Sequence, residues 1–237
     1  MKPTNIAGET FTRAEQRLFA RLDCPAKIQA FLDGIPYSDE DIYRCPRRVM
    51  RDRKAHCFDG ALFAAAAPRR LGYPPLVIDM LADNDDDHLL ALYKVDGHWG
   101  AVAKSNFVGL RFREPVFRGV RELVMSYFEQ FYNVRRQKTL RSYTVPLNLS
   151  VFDKLDWMTR DEPLDAIADR LEGRRQVFVV TPAMVARLEP VDRRSFEAGL
   201  QGANPNGLYK PAKGSSLPLR LRSPLPSVGD FAGQGSG

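Results

Sequence analysis

AHCFDGALFAAAAPRRLGY (residues 55–73) reads as one helix that opens at His56 and Cys57 and has an almost entirely apolar or small body. Asp59 and Gly60 are the only polar or permissive residues of its first three turns. A helix apolar on nearly all sides is buried on nearly all sides, so the rest of the chain must supply layers to cover it. Ala61, Ala64 and Ala65 share the face of Cys57 at helical spacing, which lets a sheet approach closely. A cysteine at such a start meets unpaired N–H groups and the positive end of the macrodipole, which favour a thiolate. Pro68 lies inside the pattern, where proline costs roughly 3 kcal/mol or more, so it is expected to kink or stop the helix before Gly72.

Downstream, PPLVIDML (74–81) reads as a buried strand, and the acidic loop ADNDDD leads to a second strand, HLLALYKV (88–95). Asp96-Gly97 between two apolar runs is a strong hairpin signal, so the partner strand is expected from Trp99 towards Asn106. GLRFREPVF extends the sheet or forms a loop, RELVMSYFEQFYNV makes an amphipathic helix, and SYTVPLNL and QVFVV are further strand candidates. DKLDWMTRDEPLDAIADRLEG is helical in its second half, and TPAMVARLEP and DRRSFEAGL are helical. Upstream, Thr12 with Glu15 three residues later forms a capping box for one helix, and Pro25 opens another that Gly34 ends. A polar connector follows, with a short helix after Pro46. Residues 1–10 read as a lightly held leader and 203–237, rich in Gly, Pro, Ser, Lys and Arg, as a flexible tail. The expected organisation is one domain over 1–202, with an α/β extension from about 108.

The 237 residues carry 44% hydrophobic and 27% charged side chains, an ordinary composition for a soluble globular protein. No apolar run is long enough to span a bilayer, and the N-terminus lacks the apolar core of a signal peptide, so a cytoplasmic location without membrane partners is expected. Three cysteines without CxxC spacing signal neither a disulfide framework nor a zinc site, which leaves Cys24 and Cys45 as small buried or surface thiols. The net charge of +6 lies partly in RCPRRVMRDRK (44–54) and RRQKTLR (135–141), but no nucleic-acid-binding motif accompanies these runs, and solvated faces are expected. Asp83, Asp85 and Asp87 alternate, yet the glycine and distal glutamate of a calcium loop are missing, with Lys94 in the latter place. No metal or cofactor is called for.

All three histidines, His56, His88 and His98, fall close in sequence to Cys57. A thiol nucleophile needs a base that takes its proton and a third group that holds the base. His88 begins a strand that can meet the start of the Cys57 helix, and the preceding Asp87 is expected to raise its pKa and favour an imidazolium in an ion pair. His56 and His98 read as surface residues, and Trp99 as a core aromatic.

The order is a two-helix lead-in (PAKIQAFLDGIPY), a cysteine opening an apolar helix, a strand, then DHLLALYKVDGHWGAV. It resembles the transglutaminase-like superfamily, with its papain-like core, in a stand-alone form of the bacterial type. The resemblance covers roughly residues 25–107 and leaves 108–202 unexplained. It implies an α+β fold in which a buried Cys-bearing helix packs on an antiparallel sheet. It also implies a cysteine-dependent acyl-transfer enzyme, peptidase, amidase or transglutaminase-like, acting on amide or isopeptide bonds of a protein or peptide. Carried over, Cys57 is the nucleophile and His88 the base. The family's Asp after the Trp is replaced here by Ala103, followed by Lys104, Ser105 and Asn106. Asn106 is therefore the first candidate to orient His88 and Ser105 the second, although alternation puts Ser105 on the face of Trp99 and Asn106 on the other. The missing Asp also leaves room for an inactive member serving as a binding or scaffold module.

Overall fold

The structure, a computed structural model, describes residues 11–211. The expected leader at 1–10 and the tail beyond 211 lie outside these residues. Thr12 caps the first helix, α1 (Arg13–Arg21): its hydroxyl accepts the Glu15 N–H at 3.3 Å while the Glu15 carboxylate accepts the Thr12 N–H at 2.8 Å. Pro25 opens α2 (Pro25–Asp33) and Pro46 opens α3 (Pro46–Asp52), each where a missing N–H costs nothing.

The apolar run folds as α4 (Cys57–Ala66), and every residue from Phe58 to Ala66 is buried. Pro68 ends it as expected. The chain tightens into a 3-10 turn over Ala67–Leu71, because the proline ring and its missing N–H break the α-helical ladder, and Gly72 at φ 88° turns the chain out. Phe63, fully buried, stacks on Phe31 at 4.7 Å and on Phe19 at 5.7 Å, which ties α4 to α2 and α1.

Among the described residues seven antiparallel strands follow: β1 (Leu76–Ala82), β2 (His88–Val95), β3 (His98–Val102), β4 (Arg113–Phe117), β5 (Leu140–Thr144), β6 (Leu147–Asn148) and β7 (Gln176–Phe178). Their order is β4-β3-β2-β1-β5-β7, with β6 also on β1. Asp96 and Gly97, at φ 47° and 83°, make the tight β2–β3 turn. The partner strand is shorter than expected, since β3 ends at Val102 and residues 103–106 leave the sheet. GLRFREPVF does extend the sheet, as β4. β5 and β6 are two halves of one run along β1, parted at Val145-Pro146, where proline has no N–H for the ladder.

The sheet centre is covered on both faces. Val77, Leu89, Ala91, Tyr93 and Val102 pack against α4. Ile78, Met80, Leu90, Leu92 and Ala101 pack on the opposite side, against α5 (Val120–Met125) and the aromatics Tyr127 and Phe131. That is why β2 reads as a continuous apolar run instead of an alternating one. The helix expected over RELVMSYFEQFYNV is broken: α5 gives way to a turn and a 3-10 segment at Phe128–Gln130. The remaining helices are α6 (Leu164–Glu172), α7 (Pro182–Val185) and α8 (Arg193–Gly199). The fold is α+β, with the Cys57 helix packed on an antiparallel sheet. Among the described residues no helix is long and apolar enough to cross a membrane.

Candidate active site

Cys57 is the first residue of α4, and the start of that helix is anchored in depth. His56 is the N-cap: its Nδ1 faces the Asp59 N–H at 3.5 Å, while the Asp59 carboxylate accepts the His56 N–H at 3.3 Å. The Arg44 N–H donates to Asp59 at 2.8 Å, and its guanidinium reaches Asp52 at 3.1 Å and Asp59 at 3.5 Å, with Glu40 also in contact. Arg44 is only 2% exposed, so the basic run at 44–54 is not wholly the solvated face expected of it. A buried arginine with three carboxylates fixes the helix start, and removing one partner of such a network strongly destabilises a fold. His56 is thus a structural cap, and His98 is exposed at the β2–β3 turn.

The Cys57 sulfur lies against the main chain at the start of β2. The thiol donates to the Asp87 carbonyl at 3.8 Å, and the Leu89 N–H points back at the sulfur. These are the residues on either side of His88. The Tyr37 hydroxyl completes the setting, lying against the Cys57 N–H and its sulfur. Burial, with the nearby carboxylates of Asp79, Asp86 and Asp59, pushes the thiol up to about 12. At neutral pH it therefore stays protonated, and the macrodipole does not win.

His88 is 5% exposed, and its side chain turns to the sheet face opposite α4, where its ring meets Phe131 edge-on at 6.3 Å. Nε2 lies 2.7 Å from the Leu110 carbonyl, so it carries the proton and leaves Nδ1 as the free lone pair. The expected rise in its pKa does not occur. Burial pushes it down to about 4, and the Asp87 carboxylate turns away to accept the Ala82 N–H at 2.8 Å. Thiol and imidazole both rest neutral, and no hydrogen bond joins them: the sulfur faces the Asp87 carbonyl and the ring the Leu110 carbonyl.

Cys57, His88, Ser105 and Asn106 all line one small cavity of about 30 Å³. Neither Ser105 nor Asn106 supplies the hydrogen bond to the His88 ring. The Ser105 hydroxyl accepts the Phe107 N–H at 3.0 Å, closing a local turn. The Asn106 carboxamide is spent on Asn204, accepting its N–H at 2.7 Å and donating to its carbonyl at 2.8 Å. The orienting place is filled by the Leu110 main-chain carbonyl, which no side-chain pattern could announce. The contact also corrects the tail: residues 203–211 are part of the site, with Asn204 Nδ2 donating to the Tyr37 carbonyl at 3.1 Å.

In front of the sulfur opens a cleft of about 680 Å³, roofed by residues 206–209. Asp39, Asp41, Asp79, Asp86, Asp87 and Glu172 line it, and no lysine or arginine does among the described residues. The cleft is acidic in a chain of net charge +6. Asp79 was legible as the single charge in LVIDML, but Tyr37 carried no signal. The acidic loop is tied down: Asp83 pairs with Arg141 at 3.5 Å, and Asp85, which burial pushes up to about 6, accepts the Thr139 hydroxyl at 2.7 Å. Among the described residues no group of three or more His, Cys, Asp or Glu side chains is placed to hold a metal ion.

No family model matches the chain, and no curated protein matches it significantly.

Proposed function

We propose that this protein is a cysteine acyl-transfer enzyme of the transglutaminase-like superfamily, acting on an amide or isopeptide bond of a protein or peptide. The observation that carries the reading is the seating of the Cys57 sulfur between the main-chain groups of Asp87 and Leu89, which flank His88. A nucleophile at a helix start, a base whose free nitrogen is set by a fixed partner, and a cleft opening on the sulfur are the parts such chemistry needs. Because thiol and imidazole rest neutral and share only the small cavity between them, Cys57 is deprotonated as it attacks: its proton passes across that cavity to Nδ1 of His88 while Sγ bonds to the carbonyl carbon. The carbonyl electron pair moves to oxygen. When the tetrahedral species collapses, the leaving amine departs with the proton from His88 and a thioester remains on Cys57. Water or an amine then releases the acyl group. The acidic lining favours a donor that carries basic residues.

The test is acylation by p-nitrophenyl acetate. The expected result is a burst of p-nitrophenolate, with the acetyl group mapped to Cys57. The burst is lost in Cys57→Ala and slowed about a hundredfold in His88→Gln. A burst that survives Cys57→Ala, or is indifferent to His88→Gln, overturns the reading. The second reading, a binding or scaffold module of the same superfamily, is favoured by Ala103 at the place of the family's Asp. It predicts no acetylation of Cys57 at all.

A further inference from the structure

The Tyr37 ring is fixed from several sides. Its main chain bridges to Ala55, two residues before Cys57, and its carbonyl accepts from Asn204 Nδ2. Gly207 lies so close that a Cβ there would sit 2.9 Å from Cδ1 of the ring. Tyr37 and Cys57 together line both the large cleft and the small cavity beside His88. The hydroxyl lies against Cys57, facing its main-chain N–H and its sulfur.

When Sγ adds to a carbonyl, the oxygen of that carbonyl develops negative charge beside the N–H of the attacking residue, at the start of its own helix. In the free protein, the hydroxyl oxygen of Tyr37 is what that N–H faces. We infer that Tyr37 is a catalytic residue of the Cys57 site, supplying the side-chain donor of its oxyanion hole. The assignment rests on the proposed acyl transfer and deepens it.

The exchange balances without any further reactant. As the S–C bond forms, electron density leaves the sulfur and the carbonyl π pair moves onto oxygen. The Tyr37 O–H, facing the sulfur at rest, follows the charge to the oxyanion, and the oxyanion takes the place of the hydroxyl oxygen before the Cys57 N–H. When the carbonyl reforms and the leaving group departs, the hydroxyl returns. No proton is transferred by Tyr37, which suits a phenol whose burial, with the Asp86 carboxylate nearby, keeps it protonated far into the alkaline range.

Tyr37→Phe keeps the ring and removes the donor. Acylation of Cys57 passes through an oxyanion, whereas its alkylation by iodoacetamide does not, and the two rates separate the roles. The expected result is a loss of about a hundredfold in acylation by p-nitrophenyl acetate. Alkylation of the same residue, read by peptide mass, changes less than tenfold and the thermal midpoint stays near that of the wild type. Equal losses in both reactions would make Tyr37 a group that only tunes the sulfur. A gain in both would make it a plug, and no change in either would make it packing; each of the three overturns the inference. Failure of the acyl-transfer reading itself is distinct, because the wild-type protein would then show no burst.

Discussion

Asn106 and Asn204 grip each other through two reciprocal hydrogen bonds, joining the exit of β3 to the segment that roofs the cleft. The same segment is also tied by Asn204 Nδ2 to the Tyr37 carbonyl and by Arg135 to the Pro211 carbonyl. Replacing Asn106 by Ala removes both bonds and is expected to cost about 1–3 kcal/mol. Limited proteolysis should then cut within 203–211 faster than in the wild type, while the far-ultraviolet dichroism of the sheet is unchanged. Cleavage at the wild-type rate would show that the roof is held elsewhere.

His88 carries a pH signature in stability. Its folded pKa, pushed down to about 4 by burial, lies below the ordinary value of 6.5. Between those values the unfolded chain binds a proton that the folded chain refuses, so stability falls as the pH drops through this window. From pH 7 to 5 the loss due to this group is about 2 kcal/mol. Denaturant unfolding of His88→Gln should show a correspondingly flatter dependence, whatever its absolute stability. Identical slopes for the two proteins would refute the buried neutral imidazole.

The Cys57 thiol, pushed up to about 12, leaves little thiolate at neutral pH. Its alkylation by iodoacetamide should rise about tenfold per pH unit from 7 to 10 without levelling off. Peptide mapping keeps the partly exposed Cys24 out of the measurement. A plateau below pH 8 would mean a thiolate–imidazolium pair at rest.

Gly60 is required by contact and not by backbone angle. A Cβ at this position would lie 2.2 Å from Cβ of Lys104. Alanine improves helix propensity by about 1 kcal/mol, but inside so close an approach the overpacking cost of about 1–3 kcal/mol or more dominates. Gly60→Ala should therefore lower the thermal midpoint, and a rise would show that Lys104 gives way freely.

Local chemistry made much of the frame legible. Thr12 with Glu15, Pro25, the apolar run from Cys57, Pro68 and Asp96-Gly97 each fix a start, a stop or a turn within a few residues, and each lies where its side chain or missing N–H demands. Of the candidate site, Cys57 and His88 were legible as residues that could meet, and they line one small cavity. Ser105 and Asn106 have the right chemistry, but β3 ends at Val102, so alternation no longer governs where they point. Leu110 acts through a carbonyl that every residue possesses. Asn204 pairs with a residue 98 positions away, a distance over which periodicity says nothing. The pKa of His88 was misjudged because adjacency in sequence placed Asp87 beside it, whereas successive side chains of a strand point to opposite faces.

Lys104 binds this arrangement at one point. Its ammonium, pushed down to about 8 by burial, donates to the carbonyls of Leu32 and Ile35 at the end of α2, while its stem fills the hollow at Gly60 of α4. A growing chain emerges with α4 well before residue 104 exists. Until β2 has been made, Cys57 has no main chain to lie against, and until Lys104 follows β3, the hollow at Gly60 stays unfilled. The setting of the Cys57 thiol is thus assembled in stages, and a nascent or truncated chain ending before Lys104 carries α4 without the side chain that locks it to the end of α2.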